Sequence, residues 1–139
     1  MKKASWIVLA VAGTAFILIS LISAIHAYNR ADDYGIGGVR LSRVAADREA
    51  VATALRGIRG TSAAFAAAYG VLYLAIVLTP YRRGDIWAWW ALFAGSVTVL
   101  AIALLRIPFL DTTFGVSAGA TQFTLTMLGL LLDVRRLKS

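Results

Sequence analysis

Tyr81-Arg82-Arg83-Gly84-Asp85-Ile86-Trp87-Ala88-Trp89-Trp90 is the stretch on which the reading of the whole chain turns. Two adjacent arginines sit in a short polar gap, and three tryptophans follow at once to open an apolar run. That is the chemistry of a hairpin turning at a membrane surface, with the charges in water and the indole rings at headgroup depth. The chain before Thr79 then enters this surface and the chain after Ile86 leaves it. Tyr81, Arg82, Arg83, Trp87, Trp89 and Trp90 are accordingly read as interface anchors rather than as a stacking site for a ligand.

The composition agrees. Of 139 residues, 60% are hydrophobic and 15% charged, and the mean hydropathy is +0.76. Soluble domains run near ~45–50% apolar and ~25% charged. The net charge of +7 would point to nucleic acid in a soluble protein, but here the basic residues lie in the gaps between apolar runs. There Lys and Arg set topology and touch anionic lipid, so membrane lipids are the expected partners and nucleic acid is not. The absence of cysteine removes disulfides, thiolate nucleophiles and Cys-based metal sites.

Four apolar runs follow in order, about 4–27, 61–79, 86–105 and 114–132, within one membrane domain over 1–139. The first, after Lys2 and Lys3, has about 24 residues against the ~20 needed to cross the hydrocarbon. A cleaved signal has the same positive start but a shorter apolar region of ~7–15 residues and a small-x-small end, which Ile25-His26-Ala27 fits poorly. Ser5, Thr14, Ser20 and Ser23 are small hydroxyls able to bond back to the preceding turn without another partner. The second run is rich in small residues, with Ala63, Ala64, Ala66, Ala67, Ala68 and Gly70, and Pro80 is expected to end it. In the third and fourth, Ala91 with Gly95 and Gly115 with Gly119 repeat small residues at four-residue spacing. Such spacing lets helix backbones approach closely in lipid. Gln122 is the one amide within a span.

Between the first two runs lies the one long polar section. Asn29, Asp32, Asp33, Gly35, Gly37 and Gly38 read as turns. From Leu41, apolar residues recur at three- and four-residue steps (Val44, Ala45, Val51, Ala52, Leu55, Ile58), which predicts an amphipathic helix over about 41–59. Asp47 offers itself as a helix cap. Whether this segment lies on the surface or runs into the second span is open. The fold class that results is an all-α integral membrane four-helix bundle with one amphipathic surface helix in the first loop.

Four spans put both termini and the Arg82-Arg83 turn on one side. Lys2, Lys3, Arg82, Arg83, Arg135, Arg136 and Lys138 fall there, against Arg30, Arg40, Arg43, Arg48, Arg56, Arg59 and Arg106 on the other. The numbers tie, but the first set is dense and close to span ends, whereas the second is spread and mixed with Asp32, Asp33, Asp47 and Glu49. The positive-inside rule therefore favours cytoplasmic termini in a cell (inner or plasma) membrane.

No Gly-rich phosphate loop and no His-Glu-x-x-His motif is present. No Asp, Glu, Lys or Arg lies deep in a span, which argues against proton-coupled transport. Small multidrug exporters, also four-span proteins of about this size, depend on a glutamate in the first helix, and this chain has none there. No catalytic residue, cofactor or metal is assigned. The polar candidates gather at the long-loop side: His26, Tyr28, Arg56, Arg59, Arg106 and Asp111. Either they snorkel as interface residues, with Arg106 and Asp111 paired, or the arginines hold an anion or lipid headgroup beside His26. Gln122 either bonds across helices or touches a ligand.

Ala54-Leu55-Arg56-Gly57-Ile58-Arg59-Gly60 leads into the small-residue helix, and the Tyr81–Trp90 turn comes after it. Together they resemble small prokaryotic four-span proteins of unknown function, many of which carry Arg-Gly before the second helix and Arg-Arg-Gly-x-x-Trp-Ala-Trp before the third. The likeness covers Ala54 to Trp90. In layout the chain is also similar to DoxX-like proteins and, more distantly, to sterol-isomerase-type bundles. The latter likeness implies carboxylates inside the helices, which this sequence lacks, so that activity does not carry over. The expected role is a non-enzymatic membrane component that associates with itself or with a larger membrane complex. The alternative is a binding or transport module for a lipid-like or small apolar molecule.

Overall fold

Where no water is at hand, an apolar run satisfies its peptide N–H and C=O groups within itself, and a helix does this residue by residue. The computed structural model describes residues 2–36, 38–46, 48–110 and 116–134, and its apolar runs are helical. The order is α1 (Lys2–Tyr28), a hairpin of β1 (Gly35–Ile36) and β2 (Val39–Arg40), α2 (Leu41–Ala45), α3 (Glu49–Ile76) prolonged by a π-helical turn at Val77–Tyr81, α4 (Ile86–Leu104), α5 (Arg106–Leu110) and α6 (Val116–Leu131). The fold is all-α. Three helical stretches, Ala4–Tyr28, Glu49–Tyr81 and Ile86–Phe109, are long and apolar enough to cross a membrane. At ~1.5 Å per residue, α1 reaches about 40 Å, against ~30 Å of hydrocarbon. The apolar α6 is shorter, with 16 residues. Residues 111–115, which include Asp111 and Gly115, lie outside the described residues.

Two boundaries differ from the sequence reading. The 41–59 segment is divided: Leu41–Ala45 is its own short helix, Ala46 takes a left-handed φ of 45°, and from Glu49 the rest belongs to α3. Asp47 is outside the described residues. Pro80 does not end its helix. It sits inside the π-helical turn, whose wider hydrogen-bond spacing accommodates a residue without an N–H. The helix ends instead at Gly84, with φ +104°. Gly84 N–H reaches Tyr81 O at 3.2 Å and Asp85 N–H reaches Pro80 O at 3.1 Å, the pair of bonds that defines a Schellman cap.

The chain resolves into two compact units, Phe16–Gly70 and Met1–Ala15 with Val71–Ser139. In the first, α1 and α3 run antiparallel, with Ile17 against Gly70 and Tyr28 against Gly60. Phe16 and Tyr69 meet edge to face at 5.6 Å.

In the second unit, Leu9, Tyr73, Val77, Tyr81, Trp89, Leu92 and Leu130 form the core. Gly119 lets α6 approach α4, where an added Cβ would lie 3.1 Å from Ala103 Cβ. Several polar groups within this apolar core are tied to α6. Ser5 Oγ donates to Gly129 O at 2.7 Å, and the Tyr81 hydroxyl lies 2.6 Å from Ser5 Oγ. Because the serine proton is already on Gly129, Tyr81 is the donor to Ser5. In the same way Thr126 Oγ1 donates to Gln122 O at 2.9 Å and receives the Tyr73 hydroxyl at 3.0 Å. Trp89 Nε1 donates to Leu130 O at 3.3 Å. Gly129 and Leu130 lie in the last turn of α6, where carbonyls run short of helical partners; Leu130 O also accepts the Asp133 N–H at 3.1 Å, and side chains from elsewhere in the unit complete the cap.

A Cβ on Gly129 would lie 2.6 Å from both Cγ and one Cδ of Leu9. Gly129→Ala should therefore lower stability by about 1–3 kcal/mol through overpacking. Gly57, with nothing within 4 Å of an added Cβ, should instead gain up to about 1 kcal/mol as alanine in a helix. Thermal unfolding of the two variants in the same detergent checks the opposite signs.

Candidate functional site

The first loop is a folded cap. Asp33 accepts the Ser42 N–H and the Ser42 hydroxyl, both at 2.8 Å, and so serves the start of α2 as an N-cap side chain would. The short ladder pairs Gly35 with Arg40 and Ile36 with Val39, and Gly38, at φ +85°, closes the turn. Tyr34 is buried, and its carbonyl accepts the Leu41 N–H.

Arg56 holds this cap from α3. Its Nη1 donates to Asn29 O at 2.6 Å, and its Nη2 donates to Arg30 O at 3.2 Å and to Asp32 O at 2.6 Å. Three carbonyls of a tight turn converge on one guanidinium, whose fixed fork suits them where a lysine ammonium would not. Arg59, one turn on, places its guanidinium 4.1 Å from the Tyr34 ring centre, with Arg56 at 5.5 Å from the same ring. Its Nε donates to Ser23 Oγ at 3.2 Å. His26 Nδ1 contacts the Asp32 carboxylate. The structure thus brings His26, Tyr28, Arg56 and Arg59 together in the Phe16–Gly70 unit, chiefly as the clamp that orders the loop.

Beside the clamp lies a cavity of about 350 Å³. Ala27 and Tyr28 of α1, Arg30 of the loop, and Glu49, Thr53 and Gly57 of α3 line it. The sequence alone does not single out Arg30 and Glu49, because each is one charge among several in a polar stretch. Only the fold places both on one rim.

Arg106 opens α5 in the other unit and is exposed. Gln122 is buried in α6, and its Nε2 has no hydrogen-bond partner among the described residues. Its backbone carbonyl, not its amide, makes the bond to Thr126. Trp87 and Trp90 are exposed, and Trp89 is not. It is buried, stacks on Phe93 at 5.5 Å and caps α6 through its Nε1. Tyr81 is likewise fully buried. Arg82 lies over the Trp6 ring at 4.6 Å, while Arg83 is exposed. Of the span hydroxyls, Ser20 bonds back to Phe16 O at 2.8 Å as expected, but Ser5 and Ser23 bond to other segments. Gly70 is filled by Ile17, and Ala91 and Gly95 are part-exposed on α4. No group of three or more His, Cys, Asp or Glu side chains that would hold a metal ion occurs among the described residues.

No protein family, curated protein or solved structure matches the chain.

The Ser42 bonds hold the Asp33 carboxyl below the usual aspartate range, the backbone N–H first and the hydroxyl second, with Arg40 and Arg56 adding smaller pulls. A depressed native pKa stabilises the cap at every pH above the ordinary aspartate value near ~3.9, and that stabilisation is lost as pH falls below it. The protection factor of the Ser42 amide should therefore drop on going from about pH 5 to about pH 3. In Asp33→Asn it should be low and flat with pH. Arg56→Ala should raise hydrogen exchange across residues 29–45 by about tenfold or more, since charged hydrogen bonds contribute ~1.5–3 kcal/mol. Arg56→Lys should rescue little of it.

Proposed function

We propose that the chain is a small four-span protein of the cell (inner or plasma) membrane, with cytoplasmic termini, that acts without catalysis as a self-associating or accessory member of a membrane assembly. The observation that carries this reading is how little of the apolar helices the chain covers by itself. Only 22% of the most apolar window in each of the three long helices is buried. Val11, Leu18, Ile19, Phe65, Leu72 and Ile102 are among the large side chains left exposed. Lipid covers such surfaces, and so does a second helix wherever small residues allow close approach.

The face of α4 offers that approach. Ala94, Thr98 and Ala101 are exposed beside the part-exposed Ala91 and Gly95. The Thr98 hydroxyl is tied to Ala94 O at 2.9 Å, so the face presents no unsatisfied donor. Gly70 and Gly119, by contrast, are already filled by Ile17 and Ala103 of the same chain. Ala94→Leu combined with Ala101→Leu should leave helix content and melting unchanged while reducing oligomer in native mass spectrometry from lipid nanodiscs. A wild-type protein that is monomeric and carries no other protein overturns the reading.

A second reading, a binding module for a lipid-like molecule, is favoured by the cavity between the end of α1 and the start of α3. That cavity lies where two apolar helices meet the polar loop, which supports a headgroup as its occupant.

A further inference from the structure

We propose that this cavity takes a zwitterionic headgroup of the phosphoethanolamine type, with the phosphate on Arg30 and the ammonium on Glu49. The inference rests on the lipid-binding reading and gives it a ligand class. Arg30 and Glu49 line the same cavity and are exposed, and neither side chain has a hydrogen-bond or ion-pair partner among the described residues. One rim therefore carries a cation and an anion that make no ion pair with each other. A ligand bearing both charges at a fixed separation satisfies both at once, and a ligand bearing one charge meets repulsion from the other.

The walls fit the same chemistry. Thr53 and Tyr28 supply hydroxyls able to donate to phosphate oxygens, and neither hydroxyl has another partner among the described residues. Arg56 also lines the cavity, but its terminal nitrogens are committed to Asn29, Arg30 and Asp32 carbonyls. It contributes a fixed positive field rather than a movable fork. Ala27, Ala52 and Gly57 are the small residues of the lining and leave room between the polar walls. Glu49 accepts hydrogen bonds from a primary ammonium, which a quaternary ammonium cannot donate. A single tyrosine does not make the aromatic cage that a quaternary group calls for.

Size points to a headgroup rather than a whole lipid, since small-molecule sites run from ~300 to ~1,000 Å³ and this cavity has about 350 Å³. Acyl chains have an apolar exit nearby: Ile25, one turn before Tyr28, is 67% exposed, and Ile58, next to Gly57, is 65% exposed.

The test is native mass spectrometry of the full chain, delipidated in detergent and offered equal amounts of phosphatidylethanolamine, phosphatidylcholine and phosphatidylglycerol with identical acyl chains. Wild type should retain one phosphatidylethanolamine with about tenfold preference over each of the others, the scale of one charged hydrogen bond. Arg30→Ala should lose the retained lipid, and Glu49→Gln should abolish the preference over phosphatidylglycerol. Neither side chain is bonded to the rest of the described fold, so helix content and melting should stay at wild type in both variants. Soluble O-phosphoethanolamine is the source control. If it binds one per chain with the same dependence on Arg30 and Glu49 and displaces the lipid, the same chemistry holds and the ligand is the soluble compound. If it fails to displace the lipid, the source is the membrane. Equal retention of the three lipids, or an unchanged lipid ratio in Glu49→Gln, overturns the inference while leaving the lipid-binding reading standing. Retention of no lipid and no phosphoethanolamine overturns both.

Discussion

A carbonyl at the end of a helix that is surrounded by apolar side chains has neither a helical partner nor water to turn to. The Gly129 carbonyl in the last turn of α6 is in that position, and the arrangement around it supplies donors to that helix end. Ser5 meets Gly129 O, Trp89 meets Leu130 O, and Tyr81 secures Ser5 in turn. Each of these donors brings a separate stretch of chain to the same place: the first turn of α1, the first turn of α4 and the end of the π-helical turn. Leu9 then fills the space that Gly129 leaves open. Four segments, α6 included, thereby meet around one helix end, whose Leu130 carbonyl takes the Asp133 N–H as well.

The Phe16–Gly70 unit solves the matching problem with charge. Its loop folds back on itself and turns several carbonyls inward, and the Arg56 guanidinium gathers three of them. The Tyr34 ring lies against both Arg56 and Arg59. Arginines that read in sequence as available to an outside anion are in this way occupied by the protein's own backbone and by an aromatic face. Beside the cavity two charges remain that make no ion pair among the described residues, Arg30 and Glu49.

Much of the architecture was legible because it derives from hydropathy and length, which need no knowledge of neighbours. The helical nature of the apolar runs, the polar turn at Arg82-Arg83 and the small-residue character of α3 are of this kind. Inward and outward facing were not legible for the aromatic residues. Trp87, Trp89 and Trp90 are identical in composition and differ only in helical phase, and Trp89 is the one turned to Leu130 O. The glycines read as a class but act one by one, so that Gly60, Gly70 and Gly129 each receive a different side chain. The Arg-Gly-x-Arg-Gly run at residues 56–60 is an instance of both points. Its arginines and its last glycine face the loop and Tyr28, contacts that only the folded chain creates. The cap itself was hidden because Asp33, Tyr34 and Ser42 look like ordinary loop polarity until the hairpin brings them together.

The π-helical turn at Val77–Tyr81 sets the phase of the helix end beyond it. An α-helix rotates about 100° per residue, so eight residues of regular helix would leave Tyr81 roughly 80° away from Tyr73 around the axis. The wider turn absorbs about one residue's rotation, which returns Tyr81 to the side that Tyr73 and Val77 already face. All three are buried. In effect the turn holds one surplus residue without passing its rotation on. A chain one residue shorter here would wind as plain α-helix and still bring its tyrosine to Ser5, with the arginine pair leaving in the same direction. A chain of the present length forced into plain α-helix would instead turn that tyrosine outward and swing Arg82 and Arg83 to a different side.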